Sequence, residues 1–234
     1  MEGLLLVAKP AGITSHDAVE LLRRRLGLRR IGHTGTLDPM AEGLLILLVG
    51  GATKQQQALQ GHDKVYEAVL QLGAQTDTGD AAGEVIRTAP VPPLDRARVQ
   101  EVLAFFRGPL AQTPPAYSAV KVKGRPAYWW ARRRQAVTLA SRDVQIHDTA
   151  LLDMTEETVA FRVACSAGTY IRTLGESIAG RLGTVGHVRR LVRLQIGAWR
   201  LADAHPLSWI SATSPEAIAA ALQPVSSKAL RAVG

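Results

Sequence analysis

A chain of 234 residues with 47% hydrophobic content is long enough for one large domain or two small ones and has ample material for a core. Its one cysteine, Cys165, excludes an intramolecular disulfide or a thiolate zinc cluster made by this chain alone, and no apolar run approaches the length of a membrane span. A net charge of +8 and a pI near 10.1 favour a polyanionic partner, because each neutralised phosphate releases counterions.

Gly3 to Ala8 reads as a short apolar strand that ends at Lys9-Pro10. No basic signal-peptide start precedes it, and with a lone cysteine the expected compartment is the cytoplasm. Pro10-Ala11-Gly12 turns the chain, and Ser15 is the expected cap of a helix with Ala18, Val19, Leu22 and Leu26 on one face. Arg23, Arg24 and Arg25 fall on the other faces and Arg29 and Arg30 extend the charge, which suits either a solvated surface or phosphate contact.

The stretch from Arg30 to Gly43 carries glycines at 32, 35 and 43 and Pro39, so it is not a regular helix. Glycine permits close approach by another molecule's backbone, and Pro39 biases Asp38 towards an extended conformation. A carboxylate presented on such a turn can be a nucleophile, a general base, a metal ligand or a turn cap; local sequence leaves these open.

Leu44 to Val49 reads as a buried strand, followed by a short helix around Thr53 to Leu59. Lys64 to Gly73 alternates, turning Tyr66, Ala68, Leu70 and Leu72 inward, and a core aromatic is the plain account of Tyr66. Asp77 and Asp80 lie in a polar loop without the terminal glutamate of a calcium-binding loop, so turn chemistry explains them better. Asp95 to Phe106 has helical spacing, and Tyr117 to Val122 alternates. Tyr128-Trp129-Trp130-Ala131-Arg132-Arg133-Arg134 sets three aromatics beside three arginines, as base stacking with phosphate contact requires, although a helix with a buried aromatic side fits the same spacing.

Strands return at Val144 to Leu152 and at Val159 to Cys165, where Cys165 alternates as a core residue. A helix marked by Leu174, Ile178 and Leu182 follows, then an apolar and basic strand from Val188 to Ile196 and an Ala-rich helix near Pro215 to Leu222. Strands outnumber helices without regular strand-helix alternation, which predicts an α+β fold with a mixed, mostly antiparallel sheet flanked by helices.

Taken together, Lys9 to Ser15, Gly32-His33-Thr34-Gly35-Thr36-Leu37-Asp38-Pro39, Ala52-Thr53-Lys54, Lys64-Val65-Tyr66-Glu67-Ala68, Thr76-Asp77-Thr78, Pro115 to Lys121 and Gly168-Thr169-Tyr170-Ile171-Arg172 resemble the TruB family of tRNA pseudouridine synthases. The resemblance implies the pseudouridine synthase fold over residues 1–212 with a thumb insertion at about 117–138, and a short helix and tail over 213–234 where relatives continue into a PUA domain. It implies conversion of uridine to pseudouridine at position 55 in the T stem-loop of tRNA by base flipping, by a monomer using no metal or organic cofactor and no membrane. Asp38 matches the nucleophile, attacking uracil or ribose C1′, Arg172 its ionic partner, and Tyr66 the ring against the uracil and a proton acceptor. His33 matches the flipping histidine, Tyr170 and Leu191 the uracil pocket, and Lys9 the pocket wall. Lys121, Tyr128, Arg132, Arg133 and Arg134 in the thumb, with Arg193, are the expected RNA contacts, while Val192 and Trp129-Trp130 depart from the family pattern.

Two other classes compete. A non-catalytic RNA-binding or RNA-folding protein explains the charge but gives Asp38, Tyr66 and Arg172 no joint role. A nucleoside or sugar glycosidase needs a second carboxylate, for which Glu42 is the nearby candidate.

Overall fold

The computed structural model describes residues 1–225, so the tail from 226 onward lies outside the described residues. The chain divides into two compact units, Met1–Tyr66 with Leu191–Gly234, and Glu67–Arg190.

In the first unit the strand Gly3–Lys9 pairs antiparallel with Glu42–Val49, in a register that sets Leu5 against Leu47. The three-residue strand Ile31–His33 adds antiparallel to Glu42–Val49, so the glycine-rich stretch opens with a strand that its composition hides. Gly186–Ile196 joins Glu42–Val49 in parallel, with Val192 opposite Glu42 and Arg193 opposite Gly43, and His205–Pro206 pairs parallel with Gly3–Lys9.

Alternation along these strands feeds two apolar layers. Leu5, Val7, Leu45, Leu47 and Val49 pack with Ala18, Val19 and Leu22 of the helix Ser15–Leu26. Leu4, Leu6, Leu44, Ile46 and Leu48 pack with Ala52, Leu59 and Ile196. The strands are therefore covered on both faces, which is why they read as continuous apolar runs rather than as a clean alternation.

The helix Ser15–Leu26 begins differently from expectation. Its cap is Thr14, whose side chain accepts from the Asp17 N–H at 3.1 Å while Asp17 accepts from the Thr14 N–H at 2.8 Å, a reciprocal capping box. Gly27, with φ of 65°, ends it in the left-handed conformation.

In the second unit the neighbouring strands run in the order Lys64–Leu72, Thr158–Cys165, Arg142–Met154, Gly108–Gln112. Arg142–Met154 is antiparallel to both of its neighbours. Ala68, Leu70 and Leu72 are buried as the alternation requires, as is Cys165. Asp95 caps the helix Arg96–Phe105 by accepting from the Arg98 N–H at 2.7 Å. Between Tyr117 and Val122 only Lys121–Val122 forms a strand, pairing antiparallel with Arg125–Pro126 before the one-turn helix Ala127–Ala131.

The expected mixed, mostly antiparallel sheet flanked by helices is thus present, with seven α-helices among the described residues. The helix Leu207–Ala212 was not anticipated, because six residues give no readable period. Among the described residues no helix is long and apolar enough to cross a membrane.

Candidate active site

Asp38 sits half-buried on a turn whose peptides are gripped from three directions. On one side Ser15 Oγ accepts from the Leu37 N–H at 2.8 Å and donates to the Leu37 carbonyl at 3.3 Å. Ser15 is therefore a loop clamp, not the helix cap; Thr14 has taken that role, and the next hydroxyl points inward with 1% exposure. On the other side the Gly12 N–H donates to the Pro39 carbonyl at 2.8 Å, and the Ala41 N–H closes the turn on the Asp38 carbonyl at 3.0 Å.

Lys9 supplies the third grip. Its ammonium donates to the carbonyls of Pro10 and Ile13, each at 2.8 Å, and to that of Pro39 at 3.4 Å. The residue is 1% exposed, so its ammonium is spent on the backbone of this loop, Pro39 included. Burial, then the charge of Arg193, lowers its pKa to about 8, while Asp38 and Glu42 pull it upward. Glu42 thus belongs to this charge cluster, beside a lysine and across from Val192.

Arg193 was expected to contact RNA; the structure places it elsewhere. It is 1% exposed, its Nε donates to the Leu44 carbonyl at 2.7 Å, and its Nη2 donates to the Gly35 carbonyl at 3.1 Å. Burial depresses the pKa of the guanidinium, and the proximity of Tyr66 and then Asp38 offsets part of that. A buried guanidinium is tolerated only when such acceptors surround it. The signal was present in the sequence: an arginine following Leu191 and Val192 in an apolar strand needs an internal partner.

The glycines serve the same packing. Gly43 adopts φ of +107°, and a Cβ there would lie 2.7 Å from Arg193 N and overlap its carbonyl oxygen. The close approach at Gly43 is made by the protein's own strand.

His33 is loop-bound: its Nδ1 accepts from the Gly35 N–H at 3.3 Å. Burial and then the Arg193 charge lower its pKa, keeping the imidazole neutral with its proton on Nε2. Tyr66 and Leu191 are both buried. Lys9, His33, Asp38, Tyr66, Leu191 and Arg193 all belong to the first unit.

Within the second unit, Arg172 is 3% exposed and donates to the carbonyls of Thr78 at 2.6 Å and Tyr117 at 2.8 Å, with its Nε 3.7 Å from Asp80 Oδ2. Asp77 and Asp80 do turn work as expected, accepting from the N–H groups of Glu84 at 2.9 Å and Ala82 at 3.0 Å. Gln112 locks the backbone of Tyr170, accepting from its N–H at 2.9 Å and donating to its carbonyl at 3.1 Å, and Arg142 lies 5.3 Å from the Tyr170 ring centre. In the thumb segment Trp130 Nε1 donates to the Val122 carbonyl at 3.1 Å, whereas Tyr128 is 41% exposed. Arg133 stacks 3.6 Å from the Trp129 ring and Arg132 lies 5.4 Å from that of Tyr128; Lys121, Arg132, Arg133 and Arg134 are all exposed. One indole turns inward and the guanidinium groups face solvent, as a helix with a buried aromatic side requires.

Residues 23–171 match the model of the TruB family pseudouridylate synthase N-terminal domain. The chain belongs to the TruB family. The tRNA pseudouridine synthase B of Opitutus terrae is 44% identical over 234 residues, covering 100% of this chain and 97% of its own. That of Burkholderia lata is 47% identical over 225 residues, 96% of this chain and 70% of its own. Among solved structures, a Cbf5-Nop10-Gar1 complex aligns with a TM-score of 0.72 at 28% identity, covering 95% of this chain and 60% of that one. An H/ACA RNP bound to a substrate RNA containing 2′-deoxyuridine aligns with a TM-score of 0.69 at 26% identity, covering 95% and 59%. The pseudouridine synthase fold expected for a TruB protein is the fold observed.

Proposed function

We propose that this TruB-family chain isomerises uridine to pseudouridine in tRNA, acting at position 55 of the T stem-loop as a cytoplasmic monomer. Family membership and identity to proteins named tRNA pseudouridine synthase B support the reaction. The observation that carries the mechanism is the clamped turn: Leu37 and Pro39, the two neighbours of Asp38, are each fixed by hydrogen bonds from a distant segment. A nucleophile held in this way loses little entropy on reaching its target.

In the mechanism, the target base is extruded from the T loop at a cost of about a few kcal/mol, with His33 entering the space it leaves. Asp38, ionised at neutral pH, attacks the extruded nucleotide at uracil C6 or ribose C1′; the glycosidic bond breaks and the ring rebonds through C5. Arg172 pairs with the carboxylate and keeps it charged. Tyr66 packs on the ring beside Tyr170 and Leu191 and takes the C5 proton. Lys121, Tyr128, Arg132, Arg133 and Arg134 hold the stem-loop by stacking and phosphate contact.

The test is release of tritium from a T-arm minihelix labelled at uracil C5. Asp38→Ala is expected to lower release by at least about a thousandfold while leaving minihelix binding intact. Release at the parent rate would remove Asp38 as nucleophile. Binding by the parent chain without any release would favour the non-catalytic RNA-binding protein, and free uracil among the products would favour a glycosidase.

A further inference from the structure

Within the second unit, Arg172 and the start of the segment 117–138 share a closed circuit of hydrogen bonds. The guanidinium donates from Nη1 to the Thr78 carbonyl at 2.6 Å and from Nη2 to the Tyr117 carbonyl at 2.8 Å. The Tyr117 hydroxyl then donates to Asp77 Oδ2 at 3.1 Å, and Asp77 precedes Thr78 in the chain, which closes the circuit. Asp77 is itself fixed: its Oδ1 accepts from the Glu84 N–H at 2.9 Å, and its own N–H donates to the Glu84 carbonyl at 3.0 Å. Asp80 Oδ2, 3.7 Å from Nε, offsets the charge of the guanidinium, whereas the two carbonyls act on its Nη groups.

A carbonyl can aim a side chain only if its own peptide is held. Upstream, Pro114 and Pro115 restrict the backbone between Tyr117 and Gln112, and Gln112 is bonded to the backbone of Tyr170 in both directions. Downstream, the buried Ser118 accepts from the Tyr128 N–H at 3.0 Å. The hydroxyl bond to Asp77 pins Tyr117 between these two anchors. We propose that Tyr117 is a positioning residue for Arg172, its hydroxyl bond to Asp77 holding in place the carbonyl that aims the guanidinium. This rests on the function proposed above, in which Arg172 pairs with the Asp38 carboxylate. Because Ser118 joins Tyr117 to the exposed Tyr128, RNA seated on the segment 117–138 bears on the same carbonyl.

Tyr117→Phe deletes one oxygen and keeps the ring. At saturating minihelix it is expected to slow single-turnover tritium release about tenfold, with minihelix affinity within about twofold of the parent's. Release at the parent rate, whatever the affinity, makes Tyr117 a loop tie or an RNA contact only and overturns the proposal. In an Asp77→Ala background the same substitution is expected to cost less than about twofold more, and a further loss of about tenfold there shows that the hydroxyl acts elsewhere and overturns the proposal. The arm independent of catalysis is read in the free protein by ¹⁵N NMR of the arginine side chains, with Arg172→Lys assigning the Arg172 signals. Two bonded Nη groups slow rotation about the Nε–Cζ bond and keep their resonances apart. Tyr117→Phe is expected to speed that rotation at Arg172 by about tenfold, and an unchanged rate overturns the proposal. If the parent releases no tritium, the function reading fails, while this arm still decides whether Tyr117 holds Arg172.

Discussion

The turn that carries Asp38 and the segment 117–138 differ in where their bonds originate. The turn is held by Lys9, Gly12, Ser15 and Arg193, residues far from it in sequence, and the longest of these links, Arg193 to Gly35, joins positions 158 residues apart. Only the first residue of the thumb segment is tied to distant segments, Tyr117 accepting from Arg172 and donating to Asp77; from there on the segment is held locally: Trp130 reaches Val122, Arg133 reaches the carbonyl and ring of Trp129, and Lys123 and Arg134 take positive φ of 48° and 55°. Distant bonds fix geometry because the whole fold must give way before they do. Local bonds leave a short exposed element that can be reshaped by a partner at little cost. The proposed chemistry thus falls on the first kind of segment and the proposed polyanion grip on the second.

That contrast can be broken at Gly43. Gly43→Ala forces a Cβ against the Arg193 backbone at a φ of +107°, and we expect a loss of about 2–4 kcal/mol in urea unfolding together with loss of activity. An unchanged midpoint would show that the strand contact at Arg193 yields easily. Ser15→Ala is milder. It leaves the buried Leu37 N–H without its 2.8 Å acceptor, costing about 1–2 kcal/mol, and it should lower kcat with little change in minihelix affinity. A rise in KM alone would mean that Ser15 does not aim Asp38.

Thumb changes should do the reverse. Replacing Arg132, Arg133 and Arg134 by glutamine should flatten the log-affinity against log-salt slope by about 2, with single-turnover release at saturating minihelix preserved. An unchanged slope removes these arginines from the phosphate account. The smallest effect is the pH dependence contributed by Lys9. Its folded pKa of about 8 lies below the unfolded 10.5, so the unfolded chain binds the extra proton between those values. Stability should therefore rise with pH from about 8 towards 10.5 in the parent relative to Lys9→Met. Parallel curves would show that the ammonium is not the titrating group.

Much of the first unit was legible from the sequence because its signals are local. Apolar runs gave the strands Gly3–Lys9 and Glu42–Val49, alternation gave Lys64–Leu72 with Tyr66 inward, and Pro39 marked the turn at Asp38. What could not be read depends on partners brought together only by folding. Thr14 and Ser15 are equal candidates for a helix cap until the loop near Leu37 supplies a second use for one hydroxyl. Arg193 looks like one more basic residue in a basic protein until the parallel pairing with Gly43 turns it inward. The strand Ile31–His33 is too short and too rich in turn formers to show against its surroundings.

The passage of the chain between the two units, once within Lys64–Leu72 and once within Gly186–Ile196, has a consequence for synthesis. The Asp38 turn leaves the ribosome early, whereas Arg193 emerges only after the whole of Glu67–Arg190. At about 5–20 residues per second, the carbonyls of Gly35 and Leu44 must wait many seconds for their guanidinium. A nascent chain halted before Leu191 therefore already carries the Asp38 turn, but lacks the residue that locks that turn in place.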